Sequence, residues 1–369
     1  MSMLSLWIGT LLLAGGTPGA APVATDSYAV RAKELWLDPG QRVEDGVLWV
    51  EAGKVRAAGR GVELPQGTPL LVHDGVVTAG MIAFDSALGL GGEAREPKRS
   101  VFPEGRIADV FDAADGGVAD ALQAGITSLV VTPSTQSLVG GRSAVVKTAH
   151  RTVLSSSAHL ALGMSDAALD AGEFPTSKSG AMAELAARFE ARDGAFGDAA
   201  AGRLPVLFEV GERDDVRRAL KLVERFELAG VLSGARRAGD LAEPIAAAGL
   251  AVAVGPFLGG TRRRELDSVL ALARAGVPLV FALEAPARHP AALRVSAAMV
   301  VRAGLDEGAA WSALTTNAAK AAGVDARVGR LAKGLDADFV LWTGDPLDLA
   351  QRPVAVFVDG ARVWQGGAR

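Results

Sequence analysis

LPVLFEVGERDDVRRALKLVERFELAGVLSG, residues 204–234, contains one complete repeat of the pattern that decides the fold. Residues 204–208 form an apolar run of strand length. Residues 215–226 then place Val216, Ala219, Leu220 and Val223 on one face of a helix, with Asp215 positioned as its N-cap. A second apolar run, residues 230–232, follows. Strand, helix and strand at this spacing argue for parallel pairing through a helical crossover.

The rhythm extends in both directions. Further apolar runs lie at residues 127–132, 250–254 and 278–282, and helical stretches at 180–192, 239–248, 263–275 and 291–303. Gly249 and Gly276 stand just past helix ends, where a left-handed cap favours glycine. The whole alternating region, residues 79–329, has the size of a (β/α)8 barrel, about 250 residues. On either side of it the period changes to two. Residues 28–37 and 46–51 alternate around turns at 38–40 and 52–54, and residues 354–358 and 363–365 flank Asp359-Gly360.

Composition narrows the function. With 49% hydrophobic residues over 369 positions the chain can bury a large core. A net charge of -4 offers no basic field to nucleic acid or an anionic membrane. The absence of cysteine excludes disulfides, thiolate metal sites and a cysteine-linked lipid anchor. Residues 4–14 are an apolar run too short to span a bilayer, followed by small residues through Ala24. They predict a signal peptide over residues 1–25 and an exported, periplasmic or secreted protein, although the leading residues lack Lys and Arg. No membrane association is expected after cleavage.

Several stretches together resemble the amidohydrolase superfamily, and within it the secreted imidazolonepropionase-like branch. Residues 46–55 (GVLWVEAGKV) resemble its opening hairpin, residues 123–133 (QAGITSLVVTP) its second barrel strand, and residues 139–147 (VGGRSAVVK) a Gly-Gly loop with the strand after it. Pro175-Thr176-Ser177 and Glu212-Arg213-Asp214-Asp215 match the branch too. Residues 314–320 (LTTNAAK) and 328–342 (VGRLAKGLDADFVLW) are similar to the superfamily's closing signature. The resemblance implies a TIM-like (β/α)8 barrel over residues 79–329 and a small composite β-sandwich from residues 26–78 and 330–369. It also implies hydrolysis of non-peptide or peptide-like C–N bonds by zinc or another divalent cation.

The ligands for that metal are largely missing. The family's His-x-His pair falls on Asp85 and Ala87 in the run 80–89 (GMIAFDSALG). The next two histidines fall on Glu209 and Ser233, the catalytic aspartate on Glu284, and a further acidic ligand on Met164. Lys147 keeps its place. The four histidines, His73, His150, His159 and His289, stand at none of these positions. Asp85, Lys147, Glu209 and Glu284 are expected to face one another at the barrel mouth, beside Ser233. Three chemistries fit such a set. One is a charge-balanced plug in which Lys147 offsets the carboxylates. Another is a hard-cation site. The third is metal-free acid–base work by Glu209 and Glu284. The sequence favours the first: a degenerate, non-catalytic or ligand-binding relative with no cofactor. An active hydrolase using Asp85, Glu209 and Glu284 is the alternative. A small-molecule ligand is the partner expected, and self-association is compatible with everything above.

Overall fold

The computed structural model describes residues 27–91, 96, 98–169 and 174–367. The expected signal peptide lies outside the described residues.

Strands from both chain ends share one sheet. β1 (Ser27–Asp38), β2 (Gln41–Glu51), β3 (Lys54–Gly59) and β4 (Leu70–Ala79) are joined by β15 (Phe339–Trp342), β16 (Pro353–Val358) and β17 (Ala361–Gln365). The order is β17-β16-β15-β4-β1-β2-β3. β15 lies antiparallel on β4, with Phe339 opposite Ala79 and Trp342 opposite Val76. Alternation divides the side chains. Phe339 and Leu341 join Leu35, Leu48, Val77 and Phe357 in a core of their own. Val340 and Trp342 turn the other way, into the barrel's core. Phe339 and Phe357 stack at 4.3 Å between ring centroids. Trp36 meets Trp311 edge-on at 5.3 Å.

The second sheet has ten strands: β5 (Met81–Ser86), β6 (Ile126–Val131), β7 (Val139–Arg142), β8 (Ala144–Lys147), β9 (Val153–Ser155), β10 (Leu160–Gly163), β11 (Val206–Glu209), β12 (Gly230–Ser233), β13 (Ala251–Val254) and β14 (Leu279–Ala285). Their order is β7-β10-β11-β12-β13-β14-β5-β6-β8-β9. β7 and β8 are consecutive pieces of one stretch broken only at Ser143, so the sheet curls back on itself. Ser143 bridges the break: its N–H donates to His159 O (3.0 Å) and its carbonyl accepts from Ala158 N (2.9 Å). The result is a TIM-like barrel in which this one stretch runs antiparallel to both neighbours.

Helices pack outside. α1 (Gly116–Gln123), α2 (Lys178–Ala191), α3 (Gly194–Ala200), α4 (Arg213–Phe226), α5 (Ala242–Ala247), α6 (Arg263–Arg274), α7 (Ala292–Ala303), α8 (Glu307–Leu314) and α9 (Thr316–Ala321) follow in chain order. α4 begins one turn earlier than the sequence pattern suggests. Glu212 is its N-cap, and Asp215, at the third helical position, closes a capping box by accepting from Glu212 N (2.9 Å). Gly249 and Gly276 take positive φ (66° and 77°) just after α5 and α6, as expected of left-handed caps. Gly230 is required for another reason: a Cβ there would lie 1.9 Å from Val206 O on the neighbouring strand. The interior is filled by Ile82, Phe84, Val130, Val145, Val231 and Val280, and Ala318 and Ala319 of α9 close its base.

One expectation fails. Lys147 does not face the mouth. It ends β8, which runs against β6, and it pairs with Ser128 near the start of that strand. Its side chain therefore emerges at the base of the barrel. There its fully buried ammonium donates to Asp336 Oδ2 (2.8 Å), Asp338 Oδ1 (3.0 Å) and Asp359 Oδ1 (2.5 Å). Lys54 and Arg327 complete the charge balance on Asp336, the latter at 2.7 Å. Burial alone would lower the Lys147 pKa, but the carboxylates, Asp338 foremost, hold it above its ordinary value. Burial pushes Asp336 up as well, yet its bonds to Lys147, Lys54 and Arg327 hold it well below the usual carboxylate range. Burial wins at Asp338, which is pushed up to about 6.

This cluster yields a prediction. Lys147→Met leaves buried carboxylates uncompensated and should cost about 3–5 kcal/mol in urea unfolding. An acid with a raised folded pKa is a penalty above that pKa and none well below it, so the loss should shrink from pH 7.5 to pH 5 as Asp338 takes up its proton. Adding Asp338→Asn should recover part of the loss, whereas Glu209→Gln should be additive with Lys147→Met, since the two lie at opposite ends of the barrel.

Candidate active site

The parallel strands end together at one rim, and the remaining candidate residues are there. Asp85 is the penultimate residue of β5, Glu209 the last of β11 and Ser233 the last of β12. Glu284 is the penultimate residue of β14. Asp85 and Glu284 both hold positive φ, 53° and 51°. They sit where the β14–β5 pairing slips between Ala282 and Ala285. A left-handed non-glycine residue costs on the order of 1 kcal/mol or more, and two at one strand junction mark a rim under local strain.

Each carboxylate has acquired a partner. Asp85 accepts from Ser233 Oγ (2.9 Å) and from Thr132 Oγ1 (3.1 Å). Ser233 therefore bonds to the very carboxylate beside which an imidazole ligand would stand. Glu209 accepts from Ser165 Oγ (2.8 Å). Glu284 pairs with Arg236 at 2.7 Å. Burial raises the Glu209 pKa, with Asp85 and Asp215 adding to the rise and the Ser165 bond opposing it. Met164, buried, occupies the position of the further acidic ligand, and its N–H donates to Glu209 O.

The donor set does not fit a catalytic divalent ion. Among the described residues no group of three or more His, Cys, Asp or Glu side chains is arranged to hold one. Ala87 offers no donor atom, and the Ser233 hydroxyl is turned to Asp85. Among the described residues the histidines join no metal-holding group. His159 is buried near the base between Ser143 Oγ (2.9 Å) and Ala321 O (2.8 Å), and burial lowers its pKa to about 4, so it is neutral at pH 7. His73 bonds to Trp342 O and His289 accepts from Ala291 N, while His150 lies in the turn after β8.

Three rim residues escaped the sequence pattern: Thr132, Ser165 and Arg236. Thr132 closes an apolar run already assigned as a strand, so its place at the rim was legible though its role was not. Ser165 and Arg236 lie in loops, where periodicity carries no information.

The comparisons agree with this frame. A model of the Amidohydrolase family matches residues 246–363. An imidazolonepropionase of Xanthomonas euvesicatoria pv. vesicatoria is 37% identical over 112 residues, 29% of this chain and 27% of that protein. The "Amidohydrolase tasK" of Hapsidospora irregularis is 33% identical over 85 residues, 23% of this chain and 9% of that protein. The chain thus spans about a quarter of the first relative's length and under a tenth of the second's. An amidohydrolase from Thermotoga maritima MSB8 superposes with a TM-score of 0.82 at 21% identity, covering 92% of this chain and all of that one. Over part of its length this chain thus matches the Amidohydrolase family, and its fold is that of the superposed amidohydrolase structure.

Proposed function

We propose that this chain is a non-catalytic, ligand-binding member of the superfamily, acting outside the cytoplasm, whose hydrolytic metal site has been dismantled. The observation that carries the reading is the bond between Ser233 Oγ and Asp85 Oδ2. Two positions that would hold metal now satisfy each other, and a hydroxyl that donates to a carboxylate is no substitute for an imidazole. The rim nevertheless keeps a binding character. Glu209 is partly desolvated beside Asp85 and held by Ser165, so a ligand bearing an ammonium or amide N–H would find an acceptor already partly stripped of water.

A second reading has one observation in its favour. A carboxyl whose pKa is raised by burial beside a second carboxyl is an arrangement that suits an acid–base pair. In that case Asp85 would take the proton from a water attacking a carbonyl carbon, and Glu209 would donate its proton to the leaving nitrogen. Atoms balance as simple hydrolysis of a C–N bond. Its weakness is that both oxygens of Asp85 already accept hydroxyl protons.

Two measurements test these readings. Protein loaded with excess zinc or manganese and then desalted should retain only substoichiometric metal. About one ion per chain, lost on Asp85→Ala, would overturn the proposal. Glu209→Gln should raise thermal stability at pH 8, where the native carboxylate is ionised at a cost. The gain should fade toward pH 4, where the wild-type group is protonated as well. Were the acid–base reading correct, the same variant would abolish turnover of a panel of amides and cyclic imides that the wild type hydrolyses.

A further inference from the structure

We propose that a cleft beside the barrel mouth binds a phosphate group, free or esterified to a small molecule. The cleft holds about 350 Å³ and lies between the loop after β12 and the first turns of α6. Arg237, Asp240, Arg264, Asp267 and Ser268 line it. It is separate from the carboxylates of the rim, and the inference stands whichever chemistry they perform.

Charge is the first argument. Both carboxylates of the cleft are already engaged from outside: Asp240 by Arg213 at 3.7 Å, and Asp267 by Arg263 at 2.8 Å. Arg237 and Arg264 meet no carboxylate oxygen within 4.0 Å among the described residues. Four guanidinium groups against two carboxylates leave a surplus of two positive charges, which matches a phosphate dianion. Planar guanidinium groups bind phosphate oxygens through paired N–H bonds, more specifically than a point charge could.

The second argument is a buried donor. Ser268 is only 8% exposed, and its Oγ accepts from Gly239 N at 2.8 Å. Its own proton finds no acceptor among the described residues, although it lines the cleft. A phosphate oxygen in the cleft would accept that proton. The wall that holds it is fixed: a Cβ on Gly239 would lie 2.8 Å from Ser268 Cα, so only glycine lets the loop approach α6 this closely.

The test uses inorganic phosphate and glycerol phosphate as probes, titrated by calorimetry and ³¹P NMR at constant ionic strength set with sodium chloride. Saturable binding of phosphate is expected. Arg237→Gln combined with Arg264→Gln should weaken it at least about tenfold. Ser268→Ala should weaken it less, and Arg188→Gln, on the exposed face of α2, not at all. Tighter binding of the ester would identify a phosphorylated small molecule as the ligand, and equal binding would identify free phosphate. Heat changes no greater than those of added chloride would overturn the proposal. Binding unaltered in the double arginine variant, with its unfolding curve like the wild type's, would overturn it too.

Discussion

The ammonium of Lys147 is the constraint on which the rest of the structure depends. It is buried among Asp336, Asp338 and Asp359, which come from the segment leading into β15 and the turn between β16 and β17. Lys147 itself comes from the single antiparallel stretch of the barrel. One side chain thus joins the curled sheet to the end of the chain almost two hundred positions later. It can do so only because β8 runs backwards, so that its last residue points to the base where the second sheet is packed. Desolvating four charged groups is costly, and the geometry is favourable only with every oxygen served. Lys54 and Arg327 supply what Lys147 alone cannot, giving three cationic groups for three carboxylates.

Cations carry the charge compensation at the base, whereas neutral hydroxyls carry most of it at the mouth. Asp85 is held by two neutral hydroxyls, Glu209 by one, and only Glu284 by a cation, Arg236, which is itself half exposed. Positive φ at Asp85 and Glu284 adds strain at the same end. A protein selected for stability alone would remove such features, since a carboxylate pushed toward protonation and a left-handed glutamate each oppose folding. At the mouth they lie on strand ends, which is where barrels of this type present their ligand sites. This placement is consistent with the proposed binding role of the rim.

Much of the fold was legible because it rests on periodicity and on glycine. The face of α4 formed by Val216, Ala219 and Val223 and the caps at Gly249 and Gly276 follow from local rules, whereas the strand at residues 339–342 came from the resemblance to a closing signature. The direction of β8 was not legible. Residues 144–147 are apolar except for the lysine, and a short apolar strand has the same pattern whichever way it runs. Placing Lys147 with the mouth carboxylates followed from treating every strand as parallel. Asp215 was displaced by one turn for a related reason: an acidic residue serves equally as N-cap or as third residue of a capping box, and only the backbone separates the two. The rim positions Asp85, Glu209, Ser233 and Glu284 were legible from strand ends, whereas their hydrogen-bond partners in loops were not.

The residues that hold the fold and the residues that would perform the family's chemistry form two sets without overlap. The first set lies at the base and in the core: Lys147, the three aspartates, Trp342, Phe339 and the alanines of α9. The second lies on strand ends at the rim, outside the apolar core clusters. Replacing a ligand histidine by Asp85 or Ser233 therefore breaks no core contact, and the new pair even forms a bond of its own. On the proposed reading, the barrel can persist whatever stands at the metal positions. Reversal is harder than loss. Restoring histidine at 233 alone would leave Ala87 without a donor atom and Asp85 without the Ser233 hydroxyl, so a functional metal site requires several simultaneous changes, none favourable by itself.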